Sequence, residues 1–419
     1  MLERRAFLDR GTRALAGLGL VPVDPTPKGT AAEPTDGPVD YYERLGVAKI
    51  INAAGTYTYL TASTMPRVVQ EAVALAAKSP VRLRDLQLAA GAYLANRLHC
   101  EAAMVTCGAA SALSIGTAAC MTLGTDPATA GDVPARVANL RREVIIQRGH
   151  HLTHEHALEM AGASLVEVET MADYQRAFTD RTAVAFYFNA AEGGGIGREE
   201  WIRVAHDHGV PCFNDAAADV PPITNLWNYT KMGFDLVAFS GGKGIRGPQN
   251  AGLLLGRRDL IKAAHANNVP NDRAIGRGMK VAKEQIVGMV AAVDWLLSQD
   301  EDALRREWHA RATRIAVELA SLPSVSHEVV VPPVANNVPH LTIRYDRSRI
   351  NIAPIEVART LRDGTPSIEL NPATGRPSGV AGLSSDEETI VVGVWMLEPG
   401  EEMIVARRLK DVLRRAMDA

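Results

Sequence analysis

The sequence predicts an α/β fold, a mostly parallel sheet with helices on both faces, followed by a smaller α+β region. Three observations predict it. Between Ala102 and Gly256, short apolar runs alternate with helical stretches, the rhythm of β-α-β units. Glycine and alanine are abundant and aromatic residues make up only 5%, so helices can approach a sheet closely. After Arg257 the rhythm changes to long helices and then to widely spaced short strands.

The composition narrows the partners. The 419 residues are 47% hydrophobic and 22% charged, with a formal net charge of −3. Without a basic excess, no nucleic-acid partner is expected. No apolar run reaches the roughly 18 residues of a membrane span, so no membrane partner is expected. The four cysteines, Cys100, Cys107, Cys120 and Cys212, form no CxxC pair, which argues against a zinc knuckle and for buried free thiols.

Residues 1–40 read as an export-signal-like segment and linker. Arg4 and Arg5, followed by Phe7 and Leu8, resemble a twin-arginine signal; Ala14–Val23 is its apolar stretch and Thr30-Ala31-Ala32 a small-residue cleavage site. Export to the periplasm is the expectation, with a cytoplasmic protein carrying an amphipathic N-terminal helix as the alternative. Residues 41–275 form the expected large domain with an N-terminal arm, and residues 276–419 an interdomain helix and a small C-terminal domain.

Within the large domain, a strand near Lys49 leads into a polar loop, Thr56–Thr64, and Pro66 opens a helix. The strand Ala102–Thr106 turns through Cys107-Gly108-Ala109-Ala110-Ser111 into an alanine-rich helix. Such a turn directs free N–H groups and the positive helix end at one spot, which suits a phosphate. Further strands are expected at Glu143–Gln147, Ala163–Val168, Val184–Phe188, Val210–Asn214 and Leu236–Phe239, with helices between them. His150, Asn189, Asp215, Ser240 and Lys243 all fall at or just past strand ends, where ligands of parallel sheets bind. His150 and His154 have i,i+4 spacing, but neither an HExxH motif nor a third ligand accompanies them, so no metal is expected.

The stretch FDLVAFSGGKGIRGPQNAG carries the chemistry. Lys243 sits in a glycine-rich turn after a buried strand, where partial desolvation turns a lysine into a nucleophile and base. A lysine that joins an aldehyde, an aspartate that holds a ring nitrogen protonated and a phosphate turn at a helix N-terminus together describe a pyridoxal 5'-phosphate site. Lys243, Asp215 and the Gly108–Ser111 turn fill those roles, Ser240 adds a hydroxyl for the phosphate, and His150 is expected to stack on the ring face opposite the strand. Ser240-Gly-Gly-Lys243 also matches the S-x-x-K of penicillin-recognising enzymes, but the SDN and KTG elements they need are missing.

The stretches NAAGTYTYLTASTMP, EAAMVTCGAASAL, VIIQRGHHLTHEHALEMAGASLVEV, NDAAADVPP, FSGGKGIRGPQNAGLLLGRRDLI and GMKVAKEQIVGM, spread over residues 50–290, resemble the fold-type-I pyridoxal phosphate enzymes. Specifically, they resemble the group that includes L-seryl-tRNA selenium transferase and D-glucosaminate-6-phosphate ammonia-lyase. The resemblance implies the fold-type-I transferase fold with a seven-stranded-type sheet, Lys243 as the Schiff-base lysine, Asp215 as the pyridinium partner and a phosphate site at Gly108–Ser111. It also implies a homodimer or higher homo-oligomer. Where the family usually has Arg after Gly-His and an aromatic residue three positions on, this chain has His151 and His154.

An amino-acid-like small-molecule substrate calls for a carboxylate-binding arginine, with Arg246, Arg277 and Arg344 as candidates. Thr56, Tyr57 and His156 complete the candidate substrate residues. The expected reaction is β-elimination with ammonia release. Racemisation, selenium or sulfur transfer by β-replacement, and cofactor binding without catalysis are the alternatives.

Overall fold

The computed structural model describes residues 39–125, 132–151, 154–191, 195–378 and 382–417. The export-like segment lies outside the described residues. The chain divides into two units, residues 1–50 and 51–419. In the first, a short helix Tyr41–Leu45 begins at Asp40, whose carboxylate accepts the Tyr42 and Glu43 N–H groups, and ends at left-handed Gly46. Asp40 also ion-pairs with Lys49.

Among the described residues the strands are β1 (Ile50–Ala53), β2 (Ala102–Thr106), β3 (Glu143–Gln147), β4 (Ser164–Val168), β5 (Thr182–Phe188), β6 (Cys212–Asp215), β7 (Leu236–Ser240), β8 (Gly252–Gly256), β9 (Val325–Val330), β10 (His340–Tyr345), β11 (Ser367–Leu370) and β12 (Ile390–Gly393). Seven of them form one sheet in the order β2-β8-β7-β6-β5-β3-β4. β3 to β7 run parallel, and β8 lies antiparallel between β2 and β7. β5 to β8 are buried along almost their whole length, and β5, β7 and β8 accordingly read as continuous apolar runs, while β6 ends in the buried polar pair Asn214 and Asp215.

Two cores organise the second unit. One face of the large sheet packs under helices Leu83–Arg97, Arg198–Asp207 and Lys283–Leu297, with Leu94, Trp201 and Met289 fully buried. On the other face, helix Gly108–Thr122 covers Phe213 and Leu236. Gly116 in that helix meets the Phe213 ring so closely that an added Cβ would lie 2.5 Å from it. The second core joins helices Glu301–Leu319, Pro354–Arg362 and Glu401–Arg415 to the antiparallel sheet β12-β10-β9 and the pair β1-β11. Helix Lys283–Leu297 therefore packs in the first core, and the change of core falls between Leu297 and Glu301. All four cysteines are free thiols; Cys120 and Cys212 are buried and Cys100 and Cys107 partly so. Among the described residues, no helix is long and apolar enough to cross a membrane.

Candidate active site

The sheet register assembles the site. Asp215 stands between Phe188 of β5 and Ala238 of β7. One pleat further on, Gly252 pairs with Ser240 on one side and with Thr106 on the other. The ends of β2, β8, β7, β6 and β5 thus bring the Gly108 turn, Ser240, the lysine loop and Asp215 to one edge.

The Gly108–Ser111 turn is built to stay open. Gly108 has φ +80°, and nothing lies within 4 Å of where a Cβ would sit. Its carbonyl accepts the hydroxyls of Thr106 and Ser111, at 2.9 and 3.2 Å. No side chain caps the first turn of helix Gly108–Thr122, and Ala110 faces solvent. Gly252 permits the close approach, since an added Cβ would lie 2.5 Å from the Gly108 carbonyl carbon.

The lysine loop is the opposite. A Cβ at Gly241 would lie 2.7 Å from the Ala251 oxygen, one at Gly242 2.6 Å from Gln249 Cα, and one at Gly244 1.9 Å from the Val220 oxygen. The loop is also fastened from outside. Ser63 donates its hydroxyl to the Gly242 carbonyl at 2.6 Å, and Gln249 donates to the Thr58 carbonyl at 3.1 Å. Lys243 is left partly buried at its centre. Burial pulls its pKa below the usual lysine range, while Asp215 and Asp219 pull it back.

Asp215 is 3% exposed and accepts the Ala217 N–H at 3.0 Å. Burial raises its pKa, against that hydrogen bond and the charges of Lys243 and His154. Asp219, four residues on, is as deeply buried, and its pKa is pushed up to about 6 by desolvation. Its Oδ2 accepts from Asn189 Nδ2 and, at 3.2 Å, from the Tyr229 hydroxyl. Arg198 Nε in turn donates to Asn189 Oδ1 at 2.6 Å.

The remaining candidates divide. His150 is buried, and its Nδ1 accepts the Phe188 N–H at 3.1 Å while Nε2 faces the Gln147 amide nitrogen at 3.4 Å. Its ring meets Tyr187 edge-on, with centroids 4.6 Å apart. Burial depresses its pKa to about 4, and the ring is packed into the fold with Nδ1 as the acceptor of the Phe188 N–H. His154 stacks on Phe188, with centroids 6.0 Å apart, and it is the histidine whose charge acts on Asp215. His156 is exposed at the start of the short helix His156–Glu159.

Thr56 is buried, and the Tyr57 hydroxyl accepts from Asn371 Nδ2 at 3.2 Å. Arg246 belongs to the lysine loop, but its guanidinium is held by the Thr64 carbonyl and Glu398, with Trp295 beneath it. Arg277 and Arg344 lie in half-exposed ion pairs with Asp272 and Asp386. The structure thus brings Lys243, Asp215, Ser240 and the phosphate turn together and leaves Arg277 and Arg344 in other pairs.

Asp219 escaped notice on sequence alone, while Asn189 and His154 were placed near the site without a role. The repeated acid in Asp-Ala-Ala-Ala-Asp was the available signal for Asp219, and the strand-end position for Asn189. One further cluster, His206, Cys212 and Asp235, has metal-type atoms within 4.8 Å of one another. Arg257 already ion-pairs with Asp235 at 2.9 Å, so that carboxylate is neutralised without a metal.

Residues 50–307 match the family described as SelA, L-seryl-tRNA selenium transferase. The chain belongs to this family. Among curated proteins it is 28% identical to a 5'-C-glycyluridine monooxygenase-decarboxylase of a Streptomyces species, over 89% of this chain and 92% of that one. It is 25% identical to the D-glucosaminate-6-phosphate ammonia lyase of Salmonella typhimurium, over 90% and 99%. An L-seryl-tRNA(Sec) selenium transferase of Aquifex aeolicus is 26% identical over 54% of this chain and 58% of its own. A solved structure of D-glucosaminate-6-phosphate ammonia-lyase superposes with a TM-score of 0.76, covering 90% of this chain and 99% of that one at 24% identity.

The fold is that of the fold-type-I pyridoxal phosphate enzymes, and this SelA-like protein is an enzyme that uses pyridoxal 5'-phosphate. The residues present fit that cofactor. The uncapped turn Gly108–Ser111 offers N–H donors to a phosphate, Asp215 supplies a buried carboxylate for a ring nitrogen, and Lys243 supplies the amine.

Proposed function

We propose that this enzyme catalyses β-elimination with release of ammonia from an amino acid or amino sugar acid. The observation that carries the proposal is the desolvated Lys243, faced by Asp215 and Asp219, in a chain that aligns end to end with an ammonia lyase. Bound pyridoxal phosphate supplies an electron sink for a carbanion at the substrate Cα. Lys243 takes the Cα proton, since burial makes its amine easy to deprotonate. With the cofactor bound, Asp215 would hold its ring nitrogen protonated, and Ser240 and the Gly108–Ser111 N–H groups would hold its phosphate. The loop bearing Thr56 and Tyr57, tied to the lysine loop through Ser63, is the segment proposed to meet the substrate.

The test is to incubate the cofactor-loaded enzyme with a panel of amino acids and amino sugar acids, free and phosphorylated, and to measure ammonia and keto acid. Lys243→Ala abolishes both. Inversion of configuration without ammonia would replace the lyase reading by a racemase. A second reading, oxidative decarboxylation at Cα, is favoured by the match to the Streptomyces monooxygenase-decarboxylase. Oxygen uptake coupled to carbon dioxide release would select it.

Two further proposals concern the whole protein. Export through the twin-arginine route is proposed from Arg4 and Arg5, and replacing both by lysine should retain the protein in the cytoplasm. A homodimer is proposed as well, supported by exposed apolar side chains at Val68, Leu75 and Leu88, and light scattering on the purified protein checks it.

A further inference from the structure

We propose that Asp219 is a positioning residue that keeps the Lys243 nitrogen protonated once the cofactor is in place. The inference rests on the pyridoxal phosphate reading, with Lys243 as the point of attachment.

The turn after β6 carries two carboxylates. Asp219 N–H donates to the Ala216 carbonyl at 3.1 Å, which folds the five residues from Asp215 back on themselves. Both acids are nearly inaccessible to water, at 3% and 2% exposure. Only Asp215 has a direct partner role toward the cofactor ring, yet Asp219 is the more heavily anchored. Its Oδ2 takes two donors, Asn189 and Tyr229, and its carbonyl accepts Asn225 Nδ2 at 2.8 Å. From the C-terminal region, the Asn336 N–H donates to the neighbouring Ala218 carbonyl at 2.8 Å. Asp219 Oδ1, by contrast, is buried and has no partner.

Stability alone does not call for this arrangement, because a buried charge costs more than an apolar side chain of the same size. Its placement is what matters: the carbonyl of Val220, next to Asp219, packs against Gly244, next to Lys243, so tightly that a Cβ on Gly244 would lie 1.9 Å from it, and the Asp219 turn thus lies directly against the lysine loop. The charged and titratable groups around Asp219 are Asp215 from β6, Lys243 from the loop after β7, Tyr229 from helix Asn225–Met232, and Arg198 through Asn189. His154 acts on Asp215. Two carboxylates, Asp215 and Asp219, raise the proton affinity of Lys243. A carboxylate that binds a protonated ring nitrogen is neutralised by it. Asp219, caged by Asn189 and Tyr229, then remains as the second carboxylate facing Lys243.

The experiment compares wild type, Asp219→Asn, Asp219→Glu and Lys243→Ala. One readout is the pH midpoint of the bound cofactor's visible absorbance. The other is affinity for pyridoxal phosphate and for pyridoxamine phosphate, which cannot join the lysine. Asp219→Asn should move the midpoint to lower pH by about one unit, because a lost negative charge weakens proton binding. It should weaken pyridoxal phosphate about tenfold at neutral pH and leave pyridoxamine phosphate unchanged. Asp219→Glu should restore part of the shift. An unmoved midpoint, or equal loss for both cofactor forms, would overturn the proposal in favour of a purely structural acid. Should Asp219→Asn not fold, Asp219→Ser decides: it removes the same charge from the same place, so the midpoint must again move down, and no shift or an upward one sinks the idea. A wild-type protein whose visible band is unaltered by Lys243→Ala would instead defeat the cofactor reading itself.

Discussion

The two glycine-rich turns at the site look alike in sequence and do opposite work. In Cys107-Gly108-Ala109-Ala110-Ser111, glycine supplies a positive φ and the space around it is empty. In Gly241-Gly242-Lys243-Gly244, none of the glycines has a positive φ, and each lies against another segment's backbone. The first turn is conformational and open, as a ligand-binding helix end must be. The second is steric and closed, and it fixes a flexible lysine by leaving its loop no room to move. A glycine motif therefore says little until it is known whether φ or volume demands the glycine.

Substitutions separate the two cases. The largest effect is expected from Gly244→Ala. Its Cβ would stand 1.9 Å from the Val220 carbonyl oxygen, so the loop or the Asp215–Asp219 turn must shift. A loss of about 4 kcal/mol or more in urea unfolding is expected, the range kept for severe core lesions. Gly252→Ala comes next, because it pushes the phosphate turn away from the sheet from behind. Pyridoxal phosphate affinity, followed by fluorescence titration, should fall at least about tenfold, or roughly 1.4 kcal/mol. Gly108→Ala should cost only about 1 kcal/mol, the conformational penalty of a left-handed residue with free space around it. If Gly108→Ala proved costlier than Gly244→Ala, the contrast between the turns would collapse.

The smallest effect is one of slope. His150 titrates near pH 4 in the folded protein against about 6.5 unfolded. Because the folded value is depressed, its contribution is fully present above pH 6.5 and is lost as the pH falls towards 4. That loss amounts to roughly 3 kcal/mol. His150→Asn keeps an acceptor for the Phe188 N–H and should flatten the acid limb of stability by up to one proton while leaving the neutral plateau little changed.

Most of the architecture was legible in the sequence, because buried strands and amphipathic helices leave periodic signatures. The strands at Ala102–Thr106 and Glu143–Gln147 lie where the pattern puts them, and those expected at Ala163–Val168 and Leu236–Phe239 differ by one residue at one end. The family match over residues 50–307 and the fold agree with the family resemblance carried by the sequence motifs. Side-chain direction was not legible. His150 and His154 are both polar residues past a strand end, and no local rule says that the first turns inward to Phe188 while the second acts on Asp215. Arg246, three residues after the lysine, is occupied by Glu398 from a loop 152 residues away.

The glycine-rich loop and Lys243, the acid at the end of β6, the phosphate turn and the order of strands and helices are thus set by the sequence alone, since each depends on local backbone preference and short-range pattern. Tertiary structure decided the rest: that Gly252 makes room for Gly108, that Asn189 and Tyr229 pin Asp219, and that a second carboxylate acts on the lysine. Those facts depend on which distant segments share a volume and a dielectric, and a one-dimensional pattern does not carry that information.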